Sequence, residues 1–298
     1  MTLQQLKYAV TAADKGTMSE AAQSLFVAQP SLTNAIKDLE NELGITIFHR
    51  TNKGIIISNE GNEFLRYARQ VLQQMSMLEE KYLDTGSHKQ IFSVSTQHYS
   101  FAVSAFVDLI RTFGNKNYDF TLRETETCEI IEDVSNFRSE VGILYLSHEN
   151  ETVISKIIEK SGLKFDKLFT AKPHIFISSH HPLAHKEQVF PQELKDYPFL
   201  SFEQGKNNSF YFSEEITGCI DRDMIIKVSD RATLFNLLVG LDGYTVCTGI
   251  ISTELNGRNI IAKPLMIDEY MHVGTVTRKG VNLSKLGENY IDFLRRHI

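Results

Sequence analysis

Apolar positions in the first ninety residues recur at helical spacing and fall into short, punctuated runs. Leu3, Leu6, Val10 and Ala13 form one stripe that stops at Gly16, and Thr2 with Gln5 has capping-box spacing at its start. Thr17 with Glu20 repeats that spacing and predicts a second short helix burying Ala21, Ala22 and Leu25. Adjacent alanines let a crossing helix approach closely, as a tight helix-turn-helix requires. A third helix is predicted from about Pro30, with Leu32, Ala35, Ile36, Leu39 and Leu43 turned inward and Gly44 as its end. A short apolar run with Phe48 and the β-branched Ile55, Ile56 and Ile57 flank Gly54, which reads as a hairpin. Phe64, Ala68, Val71, Met75, Leu78 and Tyr82 are then spaced 4, 3, 4, 3, 4, with Leu65 and Leu72 widening the stripe. That alternation suits a helix pairing with another helix, or alternatively one packed on its own core. The stretch Asp84 to Gln90, DTGSHKQ, breaks the period and reads as a linker.

Beyond it, strand-like and helix-like runs alternate as in an α/β fold. Strands are predicted at Ile91 to Ser95, in DFTLRET, at Val141 to Leu146, in HIFISSHHPLA, PFLSF, YTVCT and MHVGTVT. Helices are predicted from Phe101 to Phe113, from about Cys128 to Arg138, from Ala232 to Leu241 and from Ser284 to Ile298.

The 298 residues suffice for two or three modules, and no apolar run approaches the length of a membrane span. The N-terminus lacks the build of a secretory signal, so a cytoplasmic protein without membrane contact is expected. Cys128, Cys219 and Cys247 are widely separated and read as buried free thiols. The formal charge of -6 argues against a broad nucleic-acid surface, and residues 1–90 carry nine Lys or Arg against ten Asp or Glu. If DNA is the partner, a few well-placed cations must suffice, doubled by dimerisation.

Candidates for that role lie on the outer face of the third helix, where Gln29, Ser31, Thr33, Asn34 and Lys37 cluster at the N-terminal half. Short hydrogen-bonding side chains there reach base edges in a major groove, and a helix N-terminus favours phosphate. A solvated helix face is the alternative. The hairpin tip beside it carries His49, Arg50, Asn52 and Lys53, so Arg50 and Lys53 are candidate phosphate contacts.

Residues 1–62 resemble the DNA-binding domain of the LysR-type transcriptional regulators. The resemblance rests on Leu6, Ala21, Ala22, Leu25, the QPSLT of Gln29 to Thr33, Ile36, Leu39, Glu40, Leu43, Gly44, Phe48, Arg50, Gly54 and Gly61. A basic residue is common in the family where Asn34 stands, so base preference there is expected to differ. The resemblance implies a winged helix-turn-helix (1–58), a long linker and dimerisation helix with a hinge (59–88), and a C-terminal effector-binding domain (89–298). It also implies double-stranded DNA and a small-molecule effector as partners, and a homodimer or homotetramer.

HPLA at His181 to Ala184 and the strand-helix order extend the resemblance to the rest of the chain. Such effector domains are similar to periplasmic solute-binding proteins, with two α/β lobes and a ligand in the cleft. The lobes are placed at about 89–164 with 268–298 and at about 165–267, with crossovers near 162–167 and 265–270. Ligands in open α/β sheets sit beyond the carboxyl ends of the strands. Those positions hold Thr96, Gln97, Tyr99, Ser100, Thr125, Thr127 and Tyr145 in one lobe. In the other they hold Ser201, Phe202, Glu203, Gln204, Thr248 and Gly249. The effector set expected from them is Thr96, Gln97, Tyr99, Ser100, Thr127, Phe202 and Thr248, whose hydroxyls suit a small polar or anionic ligand; helix capping is the alternative.

Neither a cofactor nor enzymatic chemistry is expected, because no Ser-His-Asp order, phosphate loop or paired-carboxylate motif stands out. His181 and His185 have one-turn spacing, but Pro182 opposes a helix between them. A redox sensor built on Cys219 and Cys247 lacks a flanking basic motif. The rival to a regulator is a solute-binding protein or small-molecule enzyme on the same two-lobed fold, which leaves residues 1–90 without purpose.

Overall fold

A computed structural model describes residues 1–51, 54–82, 90–114, 117–205, 209–216, 218 and 222–298. Lys53, Cys219 and the linker up to Lys89 therefore lie outside the described residues. The chain divides into two compact units, the first comprising Met1–Ser87 with Asn136–Arg138 and the second His88–Ser135 with Ser139–Ile298.

The first unit begins with α1 (Leu3–Lys15), where Thr2 and Gln5 form the reciprocal capping box and Gly16 takes the left-handed cap at φ 74°. Thr17 caps α2 (Met18–Ser24) by accepting from Glu20 N. α3 spans Gln29–Leu43, so Pro30 is its second residue rather than its first, and Gly44 ends it. Ala9, Ala12, Ala21, Ala22, Leu32, Ile36 and Leu39 are buried together, the small residues allowing the three helices to meet closely. β1 (Phe48–Thr51) and β2 (Gly54–Ile57) pair antiparallel, Phe48 opposite Ile57 and Thr51 opposite Gly54. Gly54 has φ 133°, and a Cβ there would meet Gly16 O at 2.7 Å. α4 (Asn59–Tyr82) follows, and Ser58 Oγ accepts from Gly61 N at 2.8 Å at its start.

The apolar stripe of α4 divides. Leu65 and Ala68 are buried, Leu65 in the core of this unit with Phe64 packed against it, whereas Val71 is 45% and Leu78 54% exposed. The first part of the heptad run thus belongs to the protein's own core, and the second presents an uncovered apolar edge on the unit as described.

In the second unit, β3 (Gln90–Thr96), α5 (Ser100–Phe113), β4 (Tyr118–Glu124), α6 (Thr127–Ser135) and β5 (Val141–Leu146) alternate as the sequence pattern predicts. α6 stops three residues short of the expected Arg138, and Phe137 takes a left-handed φ of 59°. α7 (Glu151–Lys160) and β6 (Leu163–Ala171) follow without having been anticipated. β6 pairs with β12 (Met271–Arg278) as far as Ala171, in a five-stranded sheet ordered β4-β3-β5-β12-β6. The first crossover therefore lies after Ala171 and not near 162–167. Lys164, Asp166 and Lys167 on this edge strand disguised it, since an edge tolerates charge where a central strand does not.

The second lobe contains β7 (His174–Ser178), β8 (Phe199–Phe202), β9 (Ile225–Val228), α8 (Arg231–Gly240), β10 (Thr245–Cys247), the single turn α9 (Thr253–Asn256) and β11 (Ile260–Pro264). β10-β7-β11 form one antiparallel sheet, β8 and β9 pair in parallel, and a bridge from Phe199 to Tyr244 joins the two. The chain returns through β12 to α10 (Lys285–Arg296), whose Tyr290, Phe293 and Leu294 pack into the first lobe's core. That core also includes Ile175, Ile177 and Tyr244, so one apolar cluster runs through both lobes.

Candidate functional site

In the first unit, α3 is held from behind. Glu40 Oε1 accepts from Ile47 N at 2.7 Å and Phe48 N at 3.0 Å, which fixes β1 to the helix. Gln5 Nε2 donates to Ala35 O at 3.3 Å from α1. Leu32, Ile36 and Leu39 anchor the inner face, and helical periodicity then turns Gln29, Ser31, Asn34 and Lys37 to the exposed side, with Thr33 half-buried. None of these five side chains has a hydrogen-bond partner among the described residues, and neither has the exposed Arg50 on β1. Phe26, in the turn between α2 and α3, is 96% exposed at φ 55°, which no sequence pattern indicated.

In the second unit, a small cleft of about 40 Å³ lies between the lobes. Tyr99, Ser100, Phe202 and Thr248 line it, together with His98, Glu214, Glu215, Arg231 and Thr245. Phe176, Leu234, Phe235, Val246, Ile250 and Met271 make the remaining wall largely apolar. Arg231, Leu234 and Phe235 come from one face of α8, at the i, i+3, i+4 spacing of a helix stripe.

Thr96, Gln97 and Thr127 do not line this cleft. Gln97 is 1% exposed; its Nε2 donates to Thr127 Oγ1 at 2.7 Å, and its Oε1 accepts from Tyr99 Oη at 2.8 Å and Tyr145 N at 3.1 Å. Thr127 Oγ1 in turn donates to Phe212 O at 2.8 Å, and Thr127 N donates to Gln204 Oε1 at 3.1 Å. Thr96 Oγ1 donates to Gln97 O at 2.8 Å. Full burial directs these three groups into a network behind the wall.

Charge pairs cross the cleft. His98 Nδ1 lies 2.9 Å from Glu214 Oε2, with both side chains over nine-tenths buried, and the imidazole stacks on Phe202 at 3.7 Å and 4°. Burial alone would lower the His98 pKa, but the Glu214 carboxylate outweighs it and the net shift is upward. Arg231 Nη2 lies 2.9 Å from Glu124 Oε1. Glu124 is nonetheless raised, burial outweighing Arg231. Glu215 accepts from Phe202 N at 3.0 Å and Ser213 Oγ at 3.0 Å, and burial followed by the neighbouring Glu214 pushes its carboxyl up to about 8. His98, Glu124, Glu214, Glu215 and Arg231 escaped the sequence reading. Paired charges deep in a cleft leave no period or motif; the adjacent acidic residues of SEEI were the one available sign.

His181 is a structural clamp, its Nε2 bonded to Asp242 O at 2.9 Å and its Nδ1 accepting from Leu183 N at 3.0 Å. Burial pushes the Cys128 thiol up to about 11, and raises Cys247 further. Among the described residues there is no group of three or more His, Cys, Asp and Glu placed to hold a metal, and no helix long and apolar enough to cross a membrane.

Residues 3–62 match the family described as bacterial regulatory helix-turn-helix protein, lysR family, and residues 97–298 match the LysR substrate binding domain. A hydrogen peroxide-inducible genes activator of Pectobacterium carotovorum subsp. carotovorum is 24% identical over 307 residues, covering 100% of this chain and 97% of the relative. A full-length OxyR variant from Pseudomonas aeruginosa shares the fold with a TM-score of 0.69 at 18% identity, covering 99% of this chain and 95% of that one. CbnR complexed with its target DNA has a TM-score of 0.55 at 16% identity, with 100% of both chains covered.

Proposed function

Because the chain belongs to the LysR-type transcriptional regulators, we infer that it regulates transcription by binding double-stranded DNA through α3 and the β1–β2 wing under control of a small molecule in the cleft. The observation carrying this reading is the unbonded polar face of α3 next to Arg50. Gln29, Ser31, Thr33, Asn34 and Lys37 enter the major groove, while Arg50 and Lys53 hold phosphates. CbnR, a family member of like fold, is seen with its target DNA. The protein works as a homodimer or homotetramer in the cytoplasm, with Val71 and Leu78 of α4 meeting a second copy, and it acts by binding rather than by catalysis.

Effector binding draws on Tyr99, Ser100, Phe202 and Thr248 at the cleft wall. Thr96, Gln97 and Thr127 hold that wall in place. For control, the ligand must prefer one arrangement of the lobes, and a few kcal/mol of preference suffices. The domain limits that fit are a DNA-binding part ending near residue 58, the linker helix, and an effector domain whose second lobe starts after Ala171.

A gel shift with the DNA upstream of the protein's own gene tests the regulator directly. Specific retention is expected, and retention no stronger than on random DNA defeats the reading.

A further inference from the structure

Four of the charged groups around the cleft are matched in two ion pairs. His98 pairs with Glu214 and Arg231 with Glu124, each at 2.9 Å. Glu215 is 2% exposed, with hydrogen bonds from Phe202 N and Ser213 Oγ but no ion pair among the described residues. A buried carboxyl with no cation in ion-pair contact is costly even with Arg222 nearby, and such a group beside a cleft marks a functional position.

We propose that the cleft takes a small amine as effector, its ammonium set against the Glu214–Glu215 pair and its aromatic or branched body against Phe176, Leu234 and Phe235. This rests on the reading that the cleft is the control site and names the ligand's chemical class.

A second, independent observation points to a ligand at this place. Thr245 is 4% exposed and lines the cleft, yet its hydroxyl has no hydrogen-bond partner among the described residues. A buried hydroxyl seldom stays unbonded, and this one can accept from an incoming N–H as well as donate. The aromatic walls add to this, because ring faces attract a desolvated cation. The electrostatics agree. Glu215 answers burial and Glu214 by holding its proton, with Arg222 working in the opposite direction. The same two carboxylates help push Tyr99 and Tyr145 upward, after burial itself. A cation relieves this crowding and lets Glu215 ionise, whereas an anion intensifies it. Arg231 Nη1 also lacks a hydrogen-bond partner, but its guanidinium already has Glu124 as counter-ion.

The test uses the full-length protein with benzylamine, benzyl alcohol and benzoate, three probes of one shape and different charge, in thermal shift and titration calorimetry. Benzylamine is expected to bind and stabilise, with the other two at least ~10-fold weaker. Glu215→Gln, checked for native circular dichroism, should lose roughly 10-fold in benzylamine affinity. Thr245→Val keeps the shape and should lose about 3-fold. Benzoate binding more tightly than benzylamine, no binding by any of the three, or unchanged benzylamine affinity in a folded Glu215→Gln protein would overturn the assignment. A gel shift with and without benzylamine separates the two claims. Cleft binding that leaves DNA affinity unchanged removes the control role and keeps the ligand class, and benzoate binding that alters DNA affinity does the reverse.

Discussion

On the outer face of α3, Gln29, Ser31, Asn34 and Lys37 stand exposed and unbonded among the described residues, whereas behind the cleft wall Gln97, Thr127, Tyr145 and Gln204 are bonded to one another out of water. Both sets are polar, the first assigned to binding and the second to holding the wall that a ligand meets. In the first, the folded protein gains nothing from the side chains, so their identity is free to answer to a partner. In the second, each side chain completes another, so the wall that a ligand meets depends on bonds made behind it. Surface recognition and buried recognition therefore fail differently when mutated.

The largest contrast is expected from Gln97→Ala. It strands Tyr99 Oη and Tyr145 N and leaves Thr127 Oγ1 with Phe212 O alone, and should destabilise the second unit by on the order of 3 kcal/mol in urea unfolding. Asn34→Ala measured alongside should stay within about 0.5 kcal/mol of the parent. Equal costs at the two positions would erase the distinction.

Next in size are effects on DNA. Thr33→Ala should cost about 1–3 kcal/mol of discrimination between specific and random sequence. Arg50→Ala should weaken all DNA alike and reduce the salt slope by about 1. A Thr33→Ala protein that loses specific and random binding equally would assign that residue to the backbone instead.

The third prediction concerns pH. Glu215 and Glu124 have pKa values raised above the usual 4.5, and His98 above 6.5. The native state then holds protons that the unfolded chain has released, so stability falls as pH rises from about 5 towards the Glu215 value of about 8. The buried His181, lowered by burial, opposes this more weakly around neutral pH. Melting temperature should decline from pH 5 to 8 and decline less in Glu215→Gln. Parallel slopes for the two proteins would remove Glu215 as the source.

The smallest effect on stability goes with a large change of assembly. Val71→Asp with Leu78→Asp, both at exposed positions, should shift stability by no more than about 0.5 kcal/mol. Light scattering should nonetheless show monomer; an unchanged dimer would place the interface elsewhere.

The same contrast explains what the chain's order of residues revealed. Leu32, Ile36 and Leu39 recur at helical spacing because one face is buried, and the exposed polar set is simply what remains. The hairpin was legible through Gly54 and the three isoleucines beside it. The cleft followed other rules. Thr96, Gln97 and Thr127 were correctly placed near strand ends but lie behind the wall, because local sequence does not tell a hydroxyl facing a ligand from one bonded to a neighbour. Glu124 and Arg231 are far apart in the chain and meet only when two lobes fold together. β6 escaped notice because its charges face outward at a sheet edge.

Glu40 has one more implication. By accepting from Ile47 N and Phe48 N with a single oxygen, it fuses helix and hairpin into one rigid part. An engineer seeking a new operator preference can thus rewrite Ser31, Thr33 and Asn34 without re-aiming the hairpin, and can transplant residues 29–57 as a cassette. Replacing Glu40 would loosen that coupling, leaving the hairpin held by Ile55 N on Gly16 O and by the core it shares with α3.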